Sequence, residues 1–187
     1  MTRASRTAVI ILVTMAAVLA ACATDAQGTA SASASPPEWK RVTSERFGYS
    51  LEVPGTFEHT AATEDWPAGV YPVADAPYTD LWFDPVHFPT IDIVTQEMPD
   101  ELSEAEFLAW LDENNAERCT VEETEEITVA GTVGRWQDQT CGYNSMEVVL
   151  FDDGWVYVLW WLGNVVDADA DRERFEHVLS TFEFPGD

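Results

Sequence analysis

Three cysteines, three histidines, a run of alternating aspartates and a serine near a glycine are the residues of this chain whose types could do chemistry. His59, His87 and His177 are far apart in sequence, and none lies three or four positions from another histidine or a cysteine. That spacing offers no local zinc site. Ser145, in Gly142-Tyr143-Asn144-Ser145, lacks the second glycine of a nucleophile elbow, and no phosphate-cradling glycine loop occurs. Asp167, Asp169 and Asp171 have the first three ligand spacings of a calcium loop, but Arg172 and Val178 stand where that loop needs its glycine and its glutamate. Aspartates at a helix start are accounted for by capping and by the helix dipole. These residues nominate no catalytic group, no metal ligand set and no cofactor.

The cysteines divide by position. Arg3 and Arg6 precede an apolar run over residues 8–19, interrupted only by Thr14. The run is too short to span a bilayer and suits the core of a signal peptide. Leu19-Ala20-Ala21-Cys22 resembles the bacterial lipobox, which implies cleavage before Cys22 and a diacylglyceryl thioether on its sulfur. The expected organisation is a leader over 1–21, a lipidated Cys22 with a tether over 22–37, and a single globular domain over 38–187. Its expected place is the outer face of the cell membrane, held through the lipid anchor. Cys119 and Cys141 remain as an even pair in an exported chain, which favours a disulfide.

The tether carries no large apolar residue over 23–37 and cannot offset its ordering entropy by burial. Such a stretch spans about 20 Å. The rest is about 150 residues, the size of one domain. The chain has 34 Asp and Glu against 9 Lys and Arg, a formal charge of −25, which becomes −27 once Arg3 and Arg6 are removed. Nucleic acid and anionic lipid surfaces would repel it, and no nucleic-acid partner is expected. The charge reads first as a solvated acidic surface, and it allows a cationic partner.

Alternation of apolar and polar residues predicts strands over 39–43, 49–53 and 90–96, with a further strand over 81–83. Ser103 and Glu106 fit a capping box, and Phe107, Leu108 and Leu111 form the apolar stripe of a first helix. Strands over 123–129 and 132–140 flank Ala130-Gly131, and strands over 146–151 and 155–162 flank Asp152-Asp153-Gly154, a hairpin signal. Residues 155–162 read WVYVLWWL, apolar at every position, as a central strand covered on both faces does. A second helix begins around 167–171 and places Phe175, Val178, Leu179 and Phe182 on one face. Glu122, Glu123, Glu125 and Glu126 suit an exposed strand edge. The expected fold is α/β (α+β), with a mostly antiparallel central sheet flanked by a helix on each face. If Val129-Ala130-Gly131 is a three-residue loop, Thr128 faces Thr132, and an unbulged ladder sets Cys119 directly opposite Cys141.

Phe47-Gly48-Tyr49-Ser50-Leu51-Glu52-Val53-Pro54, followed by Phe57, resembles the opening strand of PsbP-like domains. Phe175-x-x-Val178-Leu179-x-Thr181-Phe182 resembles that family's closing helix and final strand. A lipobox joined to such a domain is similar to the actinobacterial LpqN/LpqT-type lipoproteins. The resemblance covers roughly residues 42–184. It implies an α/β/α sandwich, a binding, assembly or envelope-associated role, and no common catalytic residues.

Residues 65–89 match no motif of that family. Trp66, Tyr71, Tyr78, Trp82, Phe83 and Phe88 fall there within 23 residues that carry Pro67, Pro72, Pro77 and Pro85. A connection this long is functional or disordered, and aromatic residues argue against disorder. Either its rings pack on the sheet, or they form a ligand surface with Trp66, Tyr71, Tyr78 and Trp82 as contacts. Two functional classes stay open. One is a non-catalytic lipoprotein binding an envelope protein or an amphipathic small molecule. The other is an extracytoplasmic hydrolase whose residues assemble only in space.

Overall fold

The computed structural model describes residues 38–186, apart from 74, 87 and 165. The expected leader, Cys22, the tether and His87 lie outside the described residues. In chain order the elements are β1 (Trp39–Thr43), β2 (Ser50–Pro54), β3 (Glu58–Thr60), β4 (Thr79–Phe83), β5 (Thr90–Glu97), α1 (Glu104–Ala116), β6 (Thr120–Val129), β7 (Thr132–Thr140), β8 (Asn144–Asp152), β9 (Trp155–Gly163) and α2 (Ala168–Ser180). Seven strands form one antiparallel sheet in the order β3-β4-β5-β9-β8-β7-β6, and β1 and β2 pair separately as a hairpin.

The all-apolar strand β9 lies at the centre of that sheet. Its side chains alternate between two dry faces. Tyr157, Leu159 and Trp161 join Ile91, Ile93 and Val148 beneath Phe175, Val178 and Leu179 of α2, with Leu51 and Val53 of the small hairpin beside them. Val156, Val158 and Trp160 turn the other way, with Val94 and Val149, beneath Phe107 and Leu111 of α1. Each such side chain contributes about 1.5–3 kcal/mol when fully buried. The architecture is the expected sheet with one helix on each face.

Helix α1 starts at a complete capping box. Ser103 Oγ accepts from the Glu106 amide at 3.3 Å, and Glu106 accepts from the Ser103 amide at 2.8 Å. Helix α2 differs from expectation, because its N-cap residue Asp167 makes no side-chain capping bond. Asp171, one turn in, is instead buried and accepts from the Asn164 amide and from Arg174. The final strand implied by the family resemblance is reduced to an isolated bridge between Ser50 and Glu183. Strand β3 has no sequence signature, since all three of its residues are exposed.

The β6–β7 hairpin corrects the three-residue loop. Val129 pairs with Thr132, so the loop has two residues, Ala130 (φ 48°) and Gly131 (φ 83°), both left-handed as a type I′ turn requires. The ladder then carries a bulge, because Val121 pairs with Gln139 and Glu123 with Asp138, leaving Glu122 unpaired. The shorter loop and the extra residue offset each other. Thr120 faces Thr140, and one step further Cys119 and Cys141 form a disulfide with their Cα atoms 4.3 Å apart.

Candidate functional site

On the α1 face the pleat sets Asp92, Trp160, Glu147 and Gln137 side by side across β5, β9, β8 and β7. The neighbouring row toward one end of the sheet is Thr90, Leu162, Ser145 and Gln139. A cavity of about 290 Å³ opens over these two rows. Asp92, Gln139, Ser145, Trp160 and Leu162 form its floor. Tyr71 and Val73 of the long irregular segment, Arg118 after α1, Tyr143 and the Cys119–Cys141 disulfide form its walls. The Arg118 guanidinium lies 4.3 Å from the centre of the Tyr71 ring, a cation–π contact at the wall.

A buried polar network fixes this floor from below. The Tyr71 hydroxyl donates to Asn115, whose amide donates to both oxygens of Glu147 at 3.1 and 3.3 Å. Glu147 also accepts from the Trp160 indole at 2.9 Å and from Arg135 at 3.2 Å. Arg135 reaches Asp112 at 2.7 Å, and Gln137 donates to the same carboxylate at 3.1 Å. Burial raises the Glu147 carboxyl above its usual range, and the Asn115, Trp160 and Arg135 donors oppose that rise. Burial also raises the Tyr71 phenol, helped by the charge of Glu147 and opposed by Arg118.

Two acceptors on the floor lack donors. Asp92 Oδ1 is buried with no hydrogen-bond partner, while Oδ2 accepts from Thr90 at 3.3 Å. Burial pushes the Asp92 carboxyl up to about 7. Gln139 donates through Nε2 to Gln137, and its Oε1 faces Cys141 Sγ at 4.0 Å. A disulfide sulfur has no hydrogen to donate, so this oxygen too is left without one. Unpaired buried acceptors cost about 1–3 kcal/mol each, which a ligand bringing donors would recover. The aromatic walls suit the apolar part of the same ligand.

The four aromatic contacts expected from sequence separate. Tyr71 lines this cavity. Trp66 packs edge-on against Phe107, donates its indole N–H to Val70 and borders a second hollow near Met98 and Pro99. Tyr78 is buried in the α1-face core. Trp82 has no exposed surface, stacks on His59 and belongs to the core on the opposite face. A ligand at the sheet surface reaches Tyr71 and does not reach Trp82.

The opposite face gathers a serine, a histidine and an aspartate, but in an order that does not make a nucleophile. Asp80 accepts from Ser44 and Tyr49, both at 2.6 Å, from the Ala62 amide at 2.9 Å, and lies 3.3 Å from His59 Nε2. A catalytic relay needs the imidazole between hydroxyl and carboxylate. Here the carboxylate is in the middle and Ser44 is buried, so the cluster ties β4 to the segments around it. His177 stacks on Trp39 and meets Glu52 at 2.9 Å. Among the described residues no group of three or more His, Cys, Asp or Glu is placed to hold a metal ion, and no helix is long and apolar enough to cross a membrane.

No family model matches the sequence, and no curated protein matches it. Solved structures are similar in fold. The cyanobacterial PsbP protein of Synechocystis is 12% identical, with 81% of this chain and 95% of that chain covered and a TM-score of 0.58. The fold is PsbP-like. LpqN of Mycobacterium tuberculosis, described as involved in cell envelope biogenesis, is 14% identical over 81% of this chain and 92% of its own, with a TM-score of 0.49. The Ran-binding protein Mog1p of Saccharomyces cerevisiae is 10% identical over 80% of this chain and 96% of its own, with a TM-score of 0.48. At 12% identity the likeness to the Synechocystis protein shows the fold alone and nothing about the cavity.

Asp92, Gln139 and Glu147 were not legible as site residues. Each is a polar residue in an alternating strand, the ordinary pattern of a solvated face. The usable signal was the uninterrupted apolar run of β9, which requires both faces of the sheet to be covered. Polar residues on its direct partners, Asp92 opposite Trp160 and Glu147 opposite the same residue, then have to be buried.

Proposed function

We propose that this chain is a lipid-anchored, extracytoplasmic and non-catalytic binding module, made of a leader over 1–21, a lipidated Cys22 with a tether over 22–37, and a PsbP-like domain over 38–187. Its ligand seat is the cavity between Tyr71 and the β5–β9–β8–β7 face. The observation that carries this reading is Asp92 Oδ1, buried without a hydrogen-bond partner, together with Gln139 Oε1, which meets a disulfide sulfur that has no proton to give, on a floor walled by aromatic rings. A cavity built to catalyse would set a nucleophile beside a base, whereas here β9 lies between Ser145 of β8 and Asp92 of β5. An amphipathic envelope molecule, or the side chain of an envelope protein, that offers donors and an apolar body fits it.

Native mass spectrometry of the lipoprotein, purified gently from its own host, tests this. The expected result is a diacylglyceryl adduct on Cys22 and a second, non-covalent mass. Tyr71→Ala, folded by circular dichroism, loses the second mass and keeps the first. A wild-type protein with no retained mass, or a retained mass untouched by Tyr71→Ala, overturns the cavity as the ligand seat. Absence of the Cys22 adduct overturns the anchor.

A further inference from the structure

Large apolar side chains lie exposed at one end of the sheet. Val86 is 79% exposed at the β4–β5 turn, Val166 is 81% exposed after β9, and Phe88 is 51% exposed. Tyr143, in the β7–β8 turn, is also exposed and packs edge-on with Phe88, ring centres 6.0 Å apart. The register brings these positions together. Thr90 pairs with Leu162 and Asn144 with Gly163, so the segments just beyond them, carrying Phe88, Tyr143 and Val166, project from the same end of adjacent strands. Tyr143 belongs both to this rim and to the cavity wall, so the cavity opens beside it.

The described chain begins at the same end. The Glu38 carbonyl accepts from the Gly55 amide, and the next residue, Thr56, donates to Asp84 at 3.2 Å in the β4–β5 turn. Phe83, the last residue of β4, pairs with Glu58 just after it. The 15 residues between Cys22 and Glu38 reach about 20 Å. On the anchored reading, a lipid on Cys22 would keep the bilayer within reach of this end of the sheet.

We infer that the rim of Val86, Phe88, Tyr143 and Val166 seats on the bilayer that carries the anchor, with the cavity mouth at the lipid surface. The inference rests on the anchored reading above. Apolar side chains at the tips of turns enter the acyl boundary without breaking any hydrogen-bonded strand. The formal charge of −27 on the chain without Arg3 and Arg6 selects a neutral or zwitterionic surface over an anionic one. A ligand with an acyl part would then pass from membrane to cavity without crossing water.

The test uses the lipidated full chain in phosphatidylcholine vesicles, spin-labelled one site at a time through Val86→Cys, Val166→Cys and, at the opposite end of the sheet, Val133→Cys. Collisions with oxygen report the acyl layer, and collisions with a water-soluble nickel chelate report solvent. The expected result is a several-fold higher oxygen-to-nickel ratio at positions 86 and 166 than at 133. Equal, aqueous ratios at all three sites, with the protein still floating with the vesicles, overturn the seating and leave the anchor intact. Failure to float overturns the anchor and this inference with it. Dipolar broadening between labels at position 86 would assign the rim to a second copy and also overturn it.

Discussion

The two faces of the central sheet are built from the same strands and covered in different ways. Beneath α2 the side chains are mostly aromatic and aliphatic, and the buried acids Asp80 and Asp171 are both hydrogen-bonded, Asp80 to four partners. Beneath α1 the same strands present Asp92, Glu147, Gln137 and Gln139, and two acceptors there go without donors. Neither face is fully satisfied, since the indole nitrogens of Trp82 and Trp161 beneath α2 are also buried without partners. The α1 face differs in that its polar row lines a cavity. On the reading proposed above, the α2 face is core and the α1 face carries recognition.

The largest expected effect follows from that division. Trp82→Ala, on the α2 face, should cost about 3–5 kcal/mol of unfolding free energy by chemical denaturation. Tyr71→Ala should cost much less, because its ring is only partly buried, while removing the retained ligand. Equal costs for the two would erase the distinction between the faces.

The disulfide comes next. Cys119→Ser with Cys141→Ser opens a loop of separation 22 and should cost about 3 kcal/mol. The pair walls the cavity, so ligand retention should weaken in the same variant. Free thiols at both positions in oxidised, denatured wild-type protein would remove the bond from the account.

A pH titration sharpens the contrast further. Asp92 is raised from 3.8 to about 7, so the folded state holds a proton there that the unfolded state releases. Stability contributed by this group is then present below the unfolded value and is lost as pH rises toward 7, by at most about 1.4 kcal/mol per pH unit. Asp92→Asn should flatten that slope. An unchanged slope would mean that Asp92 is not the group responsible. The smallest effect belongs to local structure: Ser103→Ala removes the α1 cap and should cost about 1 kcal/mol with ligand retention unchanged.

Much of the scaffold was legible because its signals are local. The Ser103 box, the Ala130-Gly131 and Asp153-Gly154 turns and the apolar β9 each follow from adjacent residues. The site was less so. Tyr71 and Trp82 carry the same kind of signal in sequence, an aromatic ring in a long proline-rich stretch. Only the pairing of Trp82 with Ile91 turns it into the opposite core. Asp92 between Ile91 and Ile93 reads as a solvent-facing residue unless the cover over that face is already known. β3 escaped for the reverse reason, since nothing in three exposed residues marks a strand.

The unpaired Glu122 in the β6–β7 ladder has a consequence for how this hairpin can change length. With a two-residue turn and no bulge, Cys119 would be offset by one position from Cys141, and its side chain would leave through the other side of the ladder. The bulge absorbs the one residue that a two-residue turn leaves over. Removal of Glu122 alone would let Val121 follow Glu123 directly, closing the ladder without a bulge and keeping Cys119 opposite Cys141. A residue added inside the turn would make a three-residue loop and leave the pairing beyond it unchanged. The disulfide therefore tolerates single-residue length changes at the bulge or in the turn, whereas a residue added or lost within the regular ladder has to be taken up at one of those two places.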